Sequence, residues 1–323
     1  MLAISHILFH LLRLCFLFPL TGVQVFAVPV PLFGFGSSSK EGTDAPSPVT
    51  IDTVNSTLLR PAQFARAAYC SSGSLTSWTC GVPCQSLSGV EVLQTGGDSG
   101  LIPLYFIAHD PVDQSLVVAH EGTDPDNLLS ILNDAEFALV DIDTQRIPQA
   151  AGKNIKVHDG LQSTFQRTAD GLLSGVQAGL QSTGVKKVVV TGHSQGAALA
   201  TMTGAMLKGA LDPSIDVVIT TFGLPRGGNA AWADFLDQNI PNTFVTNQND
   251  PVPTVPPLLF GFAHGAGEMH ISSSDQPSPE IVSCPGHDNE NCATGNSIFK
   301  TSVANHLGPY FDGISFGGSQ CSS

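Results

Sequence analysis

A serine held in a glycine-flanked turn between an apolar strand and a helix can attack a carbonyl carbon, and residues 192–196 have that form. Gly192-His193-Ser194-Gln195-Gly196 matches G-x-S-x-G, the pattern that lifts a hydroxyl above a sheet edge on a sharp strand-to-helix turn. Before it, Val188-Val189-Val190 reads as a fully buried parallel strand. After it, the stretch to Leu207 is rich in Ala, Leu and Met, which favour helix. Glycine at 192 and 196 leaves room where a side chain would collide with strand or helix. Ser194 is therefore the expected nucleophile, with backbone N–H groups at the helix start facing developing negative charge.

Such a serine needs a base, and the base needs an acid to orient it. With this turn, the acid and then the base follow the serine along the chain. Asp250 stands just past the strand-like Thr243–Thr246, in Asn249-Asp250-Pro251-Val252-Pro253, where prolines cannot continue a central strand. Its competitors Asp216, Asp234 and Asp237 fall at a strand start or along a helical segment, which leaves Asp250 as the expected acid. Four histidines follow it: His264, His270, His287 and His306. His306 precedes the last apolar segment, where a C-terminal loop delivers a base, and is the expected choice. His158 and Asp159 are read as orienting the turn before a long helix.

A second oxyanion donor is expected from a loop after an early strand. Val117-Val118-Ala119-His120 ends such a strand, Gly122 permits an unusual turn, and Thr123 offers a hydroxyl and a backbone N–H. Thr123 and Gln195 are thus the expected oxyanion-hole residues. Leu128, Leu129, Ile131 and Leu132 then supply more apolar surface than a solvent-facing turn needs. They are expected to form a lid, with an ordinary packed helix as the alternative.

The elements that must carry these groups alternate between strands and helices. The expected fold is α/β, one domain over residues 49–323 with a mostly parallel central sheet flanked by helices. Helices are expected over Leu58–Ala68 and from Val157 to about Leu180, with adjacent strands at 101–108 and 115–119 joined by a turn at Asp110-Pro111, and further strands at 216–221 and 269–272. Residues 256–260 and Phe262 are read either as an acyl-chain groove or as a buried connector. Residues 1–27 read as a signal peptide, with an apolar core from Ile7 to Leu20 and small residues near Ala27. Val28 to about Pro48, rich in Pro, Gly and Ser, is expected to be a loose leader or pro-segment. Asn55-Ser56-Thr57 is a glycosylation sequon.

The net charge is −14, which argues against nucleic acid and against attraction to anionic membranes. Beyond the signal no stretch reaches the roughly 18 apolar residues of a membrane span, so no stable insertion is expected. The chemistry needs no metal or cofactor, and nothing in the sequence sets an oligomeric state. Six cysteines remain once Cys15 leaves with the signal. An even number in an exported chain implies three disulfides rather than a zinc site. Spacing allows Cys80–Cys84 and Cys284–Cys292 to close small loops, with Cys70–Cys321 tying the chain ends.

Taken together, Thr191–Gly196, Phe222–Arg226, Asn249–Pro253, Phe260–His264 and Asn305–Phe311 resemble fungal class 3 triacylglycerol lipases, secreted enzymes of the α/β-hydrolase fold. The likeness runs from about residue 50 to 321. It implies a triad of Ser194, Asp250 and His306, oxyanion donors at Thr123 and Gln195, a lid near 124–136, and the same three disulfides. It also implies a lipid ester substrate taken at an oil–water interface by a secreted enzyme. Three positions depart from the family's pattern: His120 and Glu121 replace an aromatic and a basic residue, and Gln195 replaces an apolar one. A feruloyl-type esterase acting on soluble aromatic esters is the alternative activity. An inactive lipid-binding relative and a serine peptidase are the remaining readings.

Overall fold

The computed structural model describes residues 42–97, 102–124, 137–275, 279–297 and 299–322. The expected signal, and Leu128, Leu129, Ile131 and Leu132 of the expected lid, lie outside these residues.

In chain order the strands are β1 (Ser47–Pro48), β2 (Glu91–Gly96), β3 (Tyr105–Asp110), β4 (Ser115–His120), β5 (Leu139–Asp141) and β6 (Lys156–His158). Then come β7 (Lys187–His193), β8 (Asp216–Phe222), β9 (Gly228–Asn229), β10 (Asn242–Asn247), β11 (Phe262–Ala263), β12 (Glu268–Ser273) and β13 (Glu280–Cys284). Nine of them form the main sheet, in the order β1-β13-β12-β10-β8-β7-β4-β3-β2. The five strands from β12 to β4 run parallel, and both margins are antiparallel. The sheet is therefore more mixed than the sequence suggests. The parallel strands need long crossovers, whereas four residues, Pro111–Gln114, suffice to turn β3 back into β4. A small sheet, β11-β9-β6-β5, stands apart.

The centre of the main sheet is covered on both faces, which is why its strands read as unbroken apolar runs. Every residue of β4 is buried, and so is β7 after Lys187. On one face the helix Asp159–Thr183 buries Leu161, Phe165, Ala169, Leu172 and Val176 along a single stripe. The helix Gln195–Ala210 is buried from Gly196 through Leu207, so it needs small and apolar residues all round. The other face carries the N-terminal helix and the C-terminal segment Tyr310–Phe316.

Helical backbone begins at Ile51, earlier than the expected Leu58, and passes through a π-helical turn at Val54–Leu58 into Leu59–Ala67. The early turn is hidden in the sequence by β-branched and hydroxyl residues with poor helix propensity. Here Ser56 and Thr57 donate back to the carbonyls of Asp52 and Thr53, which satisfies the looser turn. Residues 42–48, assigned to the leader above, are anchored: Gly42 N–H donates to His287 O (2.7 Å), and β1 pairs with β13. All three disulfides form as the spacing allows, Cys70–Cys321, Cys80–Cys84 and Cys284–Cys292.

Under β10 and β12 lies a buried polar group remote from the elbow. The Thr246 hydroxyl donates to Glu268 Oε1 (2.7 Å), which also accepts from Ala293 N–H (3.1 Å). Burial raises the Glu268 pKa from 4.5 to about 7. Nearby His270 lies 4.0 Å from Glu268. Burial depresses it to about 4, so it stays neutral where Glu268 ionises, and the two do not form an ion pair. The folded protein thus holds the Glu268 proton more tightly than the unfolded chain. The Glu268 contribution to stability falls as pH rises from about 4.5 to 7 and then levels off, while the buried His120, His193, His264 and His270, held neutral, contribute in the opposite sense. The variant Glu268→Gln, which mimics the protonated acid, is expected to remove the Glu268 contribution, so that its stability relative to the parent grows between about pH 4.5 and 7. At pH 8 it should gain up to about 3 kcal/mol over the parent, read by denaturant unfolding across pH.

Candidate active site

Ser194 joins β7 to the helix Gln195–Ala210 with φ 58° and ψ −128°. A serine with positive φ is strained, and the turn is held by Ser194 N–H donating to Phe222 O (3.0 Å) at the end of β8. A Cβ on Gly192 would overlap the backbone of Gly196, and one on Gly196 would overlap the carbonyls of His120 and Glu121. Both glycines are demanded by close approach, as expected. The same holds for Gly122: its φ is not positive, but a Cβ would strike the Tyr69 hydroxyl and the His193 carbonyl.

Asp250 and His306 meet as the sequence implies. His306, fully buried in the short helix Val303–Leu307, has its Nδ1 2.8 Å from Asp250 Oδ2. Asp250 Oδ1 accepts from Val252 N–H (2.8 Å). A carboxylate on Nδ1 leaves Nε2 as the basic nitrogen. His306 Nε2 is buried and makes no hydrogen bond among the described residues. The His306 ring lies against Gly223, the residue after the carbonyl that holds Ser194. Serine and imidazole therefore share one end of β8.

Three groups that the sequence did not point to fix this arrangement. Asn247, buried at the end of β10, donates through Nδ2 to the carbonyls of Asn305 (2.8 Å) and Pro309 (3.2 Å), on either side of His306. His193 stacks on Phe316 with ring centroids 4.1 Å apart. Its Nε2 lies 2.9 Å from His306 O and its Nδ1 2.6 Å from the Tyr69 hydroxyl. A carbonyl only accepts, so Nε2 carries the proton and Nδ1 accepts from Tyr69. Burial holds the His193 pKa well below its usual value, which keeps this neutral form. The third is Arg226, buried and ion-paired to Asp288 (2.8 Å), which donates to the carbonyls of Thr254 and Pro256. Asn247→Ala should leave two carbonyls beside His306 without their donor. We expect kcat to fall about 10–100-fold with KM little changed, measured on a soluble ester.

A cavity of about 320 Å³ opens over Ser194, lined by Thr123, Phe137, His158, Leu161, Gln195, Val252, Val255 and Pro256 among others. Thr123 and Gln195 thus flank Ser194, and the Thr123 hydroxyl donates weakly to Gln195 Oε1 (3.4 Å). His158 does double duty, capping the helix Asp159–Thr183 and facing the cavity. The two departures before Thr123 have structural explanations. His120 Nε2 meets Thr203 Oγ1 (3.1 Å), and burial lowers its pKa to about 3. Glu121 Oε2 accepts from Leu104 N–H (2.8 Å), which pins the loop to the lead-in of β3. Neither side chain lines the cavity. Of residues 256–260 and Phe262, Pro256 lines the cavity and Phe262 is buried, whereas Leu258, Leu259 and Phe260 are exposed and so are no buried connector.

The parallel-centred sheet, the strained serine elbow at the end of β7, and the acid and histidine beyond β10 define an α/β-hydrolase. Residues 117–260 match the family described as Lipase (class 3). The secreted mono- and diacylglycerol lipase MDL3 of Malassezia globosa is 32% identical over 279 residues, 84% of this chain and 85% of its own. The chain belongs to the class 3 lipase family. MDL5 of the same organism, also a secreted mono- and diacylglycerol lipase, is 35% identical over 198 residues. That match takes in 61% of this chain, which spans 62% of MDL5's length. Among solved structures, the lipase of Rhizopus microsporus var. chinensis superposes with a TM-score of 0.73 at 29% identity. It covers 86% of this chain and 94% of its own.

Proposed function

We propose that this chain is a secreted serine hydrolase that cleaves the ester bonds of acylglycerols. The observation that carries the reading is the strained Ser194 at the floor of a mainly apolar cavity, beside a histidine already bonded to a buried aspartate. In the proposed reaction His306 Nε2 takes the Ser194 proton as the hydroxyl oxygen attacks the ester carbonyl. Asp250 holds the ring and stabilises its cation. The backbone N–H groups of Thr123 and Gln195 receive the oxyanion, each worth about 2.7–4 kcal/mol of barrier. As the C–O bond breaks, His306 returns the proton to the leaving alcohol. Water then attacks the acyl-enzyme by the same route, releasing the fatty acid and restoring Ser194.

The relatives' names favour acylglycerols over aromatic esters, and the apolar walls at Phe137, Leu161, Val252 and Val255 suit an acyl chain. The Glu121 carboxylate, which would make a cavity more polar, is turned toward Leu104 instead. The relatives named as secreted, together with the three disulfides, support export after removal of residues 1–27. Asn55 is exposed, which suits glycosylation. The test is fatty-acid release, followed by pH-stat titration, from tri-, di- and monoacylglycerol emulsions beside methyl ferulate. Turnover of acylglycerols with little on methyl ferulate is expected; a preference for methyl ferulate would overturn the reading.

A further inference from the structure

Next to the cavity the chain holds three large apolar side chains in water. Leu258, Leu259 and Phe260 form a single 3-10 turn and are 43%, 89% and 54% exposed. The other large exposed hydrophobic residues among those described, Ile51, Val82, Val112 and Phe299, are isolated in the sequence. Scattered apolar residues on a surface are ordinary; a contiguous patch marks an interaction site.

The patch continues the mouth of the cavity. Pro256 lines the cavity two residues before Leu258, and the Phe260 ring packs on that of Phe137, another lining residue, with centroids 5.7 Å apart. The turn is also fixed in place. Arg226 donates to the carbonyls of Thr254 (2.6 Å) and Pro256 (3.1 Å) from its buried pair with Asp288. Inside the turn, Phe260 N–H donates to Pro257 O (3.0 Å) and Gly261 N–H to Leu258 O (2.9 Å). Beyond it Phe262 is buried in the small sheet. So clamped, the ridge holds its leucines on the surface, Leu259 most of all.

We propose that Leu258-Leu259-Phe260 is a fixed anchor that enters an uncharged lipid surface and seats the cavity mouth on the substrate. The inference rests on the ester-hydrolase reading of Ser194. Two observations choose the occupant. The ridge is continuous with the cavity whose substrate such a surface would carry. The chain's net charge is −14, and residues 247–263 contain no Lys or Arg, so nothing here would draw in an anionic membrane. Attachment by apolar burial alone should not depend on salt.

The experiment measures partition onto triolein droplets by centrifugation, using Ser194→Ala protein so that no turnover is needed, with and without Leu258→Ser/Leu259→Ser. Both leucines are exposed, so folding should be preserved, as circular dichroism can check. The double change is expected to lower partition about tenfold or more, at low and high salt alike. In the active enzyme it should slow triolein hydrolysis similarly while leaving kcat/KM for dissolved p-nitrophenyl butyrate within about twofold. Unchanged partition would overturn the proposal. So would a wild-type dimer that the double variant dissociates without losing droplet binding, since the ridge would then join two copies of the chain. Failure of the wild type to hydrolyse any ester would instead strike the reading of Ser194, which the partition arm does not use.

Discussion

Ser194→Ala is expected to lower kcat for ester hydrolysis by about 10⁴–10⁶-fold, with the folded protein intact. The side chain that forms the acyl-enzyme disappears, and neither the oxyanion donors nor the Asp250–His306 pair can replace it. What remains should be the modest rate that binding and oxyanion stabilisation give to attack by water. Alanine adds no bulk at the elbow, and the bond from residue 194 N–H to Phe222 O is backbone and survives. Thermal unfolding should therefore shift little, or upward, because the strained elbow is retained for catalysis rather than for stability. The measurement pairs kcat on a soluble p-nitrophenyl ester with calorimetry of the same preparation. Loss of activity together with loss of the folding transition would mean that the residue is structural.

The second large effect concerns the tie between the chain's two ends. Cys70–Cys321 links residues 251 apart in sequence. On the loop-entropy model a bridge of that span restricts the unfolded chain by about 5 kcal/mol, near the top of the range measured for native disulfides. Cys80–Cys84 links residues only 4 apart in sequence and constrains far less. Cys70→Ser/Cys321→Ser should therefore lower unfolding free energy by about 3–5 kcal/mol. Its effect should clearly exceed that of Cys80→Ser/Cys84→Ser in urea titrations. The location adds to the argument: Cys70 follows the helix Leu59–Ala67 and sits directly after Tyr69, which touches His193. Slackening this corner should thus reduce activity below the unfolding midpoint as well. Equal effects from the two double variants would contradict the entropic account.

What could be read in the sequence was whatever depends on local order along the chain. The valines of β7 followed by glycine, serine and glycine give away the elbow because strand, turn and helix are consecutive. Asp250 could be found because it lies in a loop just past a strand, and His306 because it stands downstream of both serine and acid before the last apolar segment, although it sits in the short helix Val303–Leu307 rather than in a loop. The long helix from Asp159 declares itself by the spacing of Leu161, Phe165, Ala169, Leu172 and Val176.

Other features depend on partners far apart in the chain. Asn247 looks like any strand-end polar residue until Asn305 and Pro309 are brought to it. Arg226 is part of a recognisable motif, yet its partner Asp288 lies 62 residues away. Of the antiparallel margins the turn at Asp110-Pro111 between β3 and β4 is legible, but the outer pairings were missed because pairing between backbones leaves no trace in side-chain pattern. Ser47–Pro48 against β13 is the plainest case, a polar edge inside a Pro- and Ser-rich stretch. His120 and Glu121 showed as departures from a familiar pattern, but only their contacts with Thr203 and Leu104 reveal that both turn away from the cavity.

The central claim is that Ser194 is the group acylated during turnover. It is tested most directly with a long-chain alkyl phosphonate p-nitrophenyl ester, followed by peptide mass spectrometry and residual activity on an acylglycerol emulsion. The account predicts one phosphonyl group per molecule, located on Ser194, with activity lost in proportion to labelling and no labelling of Ser194→Ala. Inactivation with the label on another residue, or full activity after Ser194 is labelled, would contradict it.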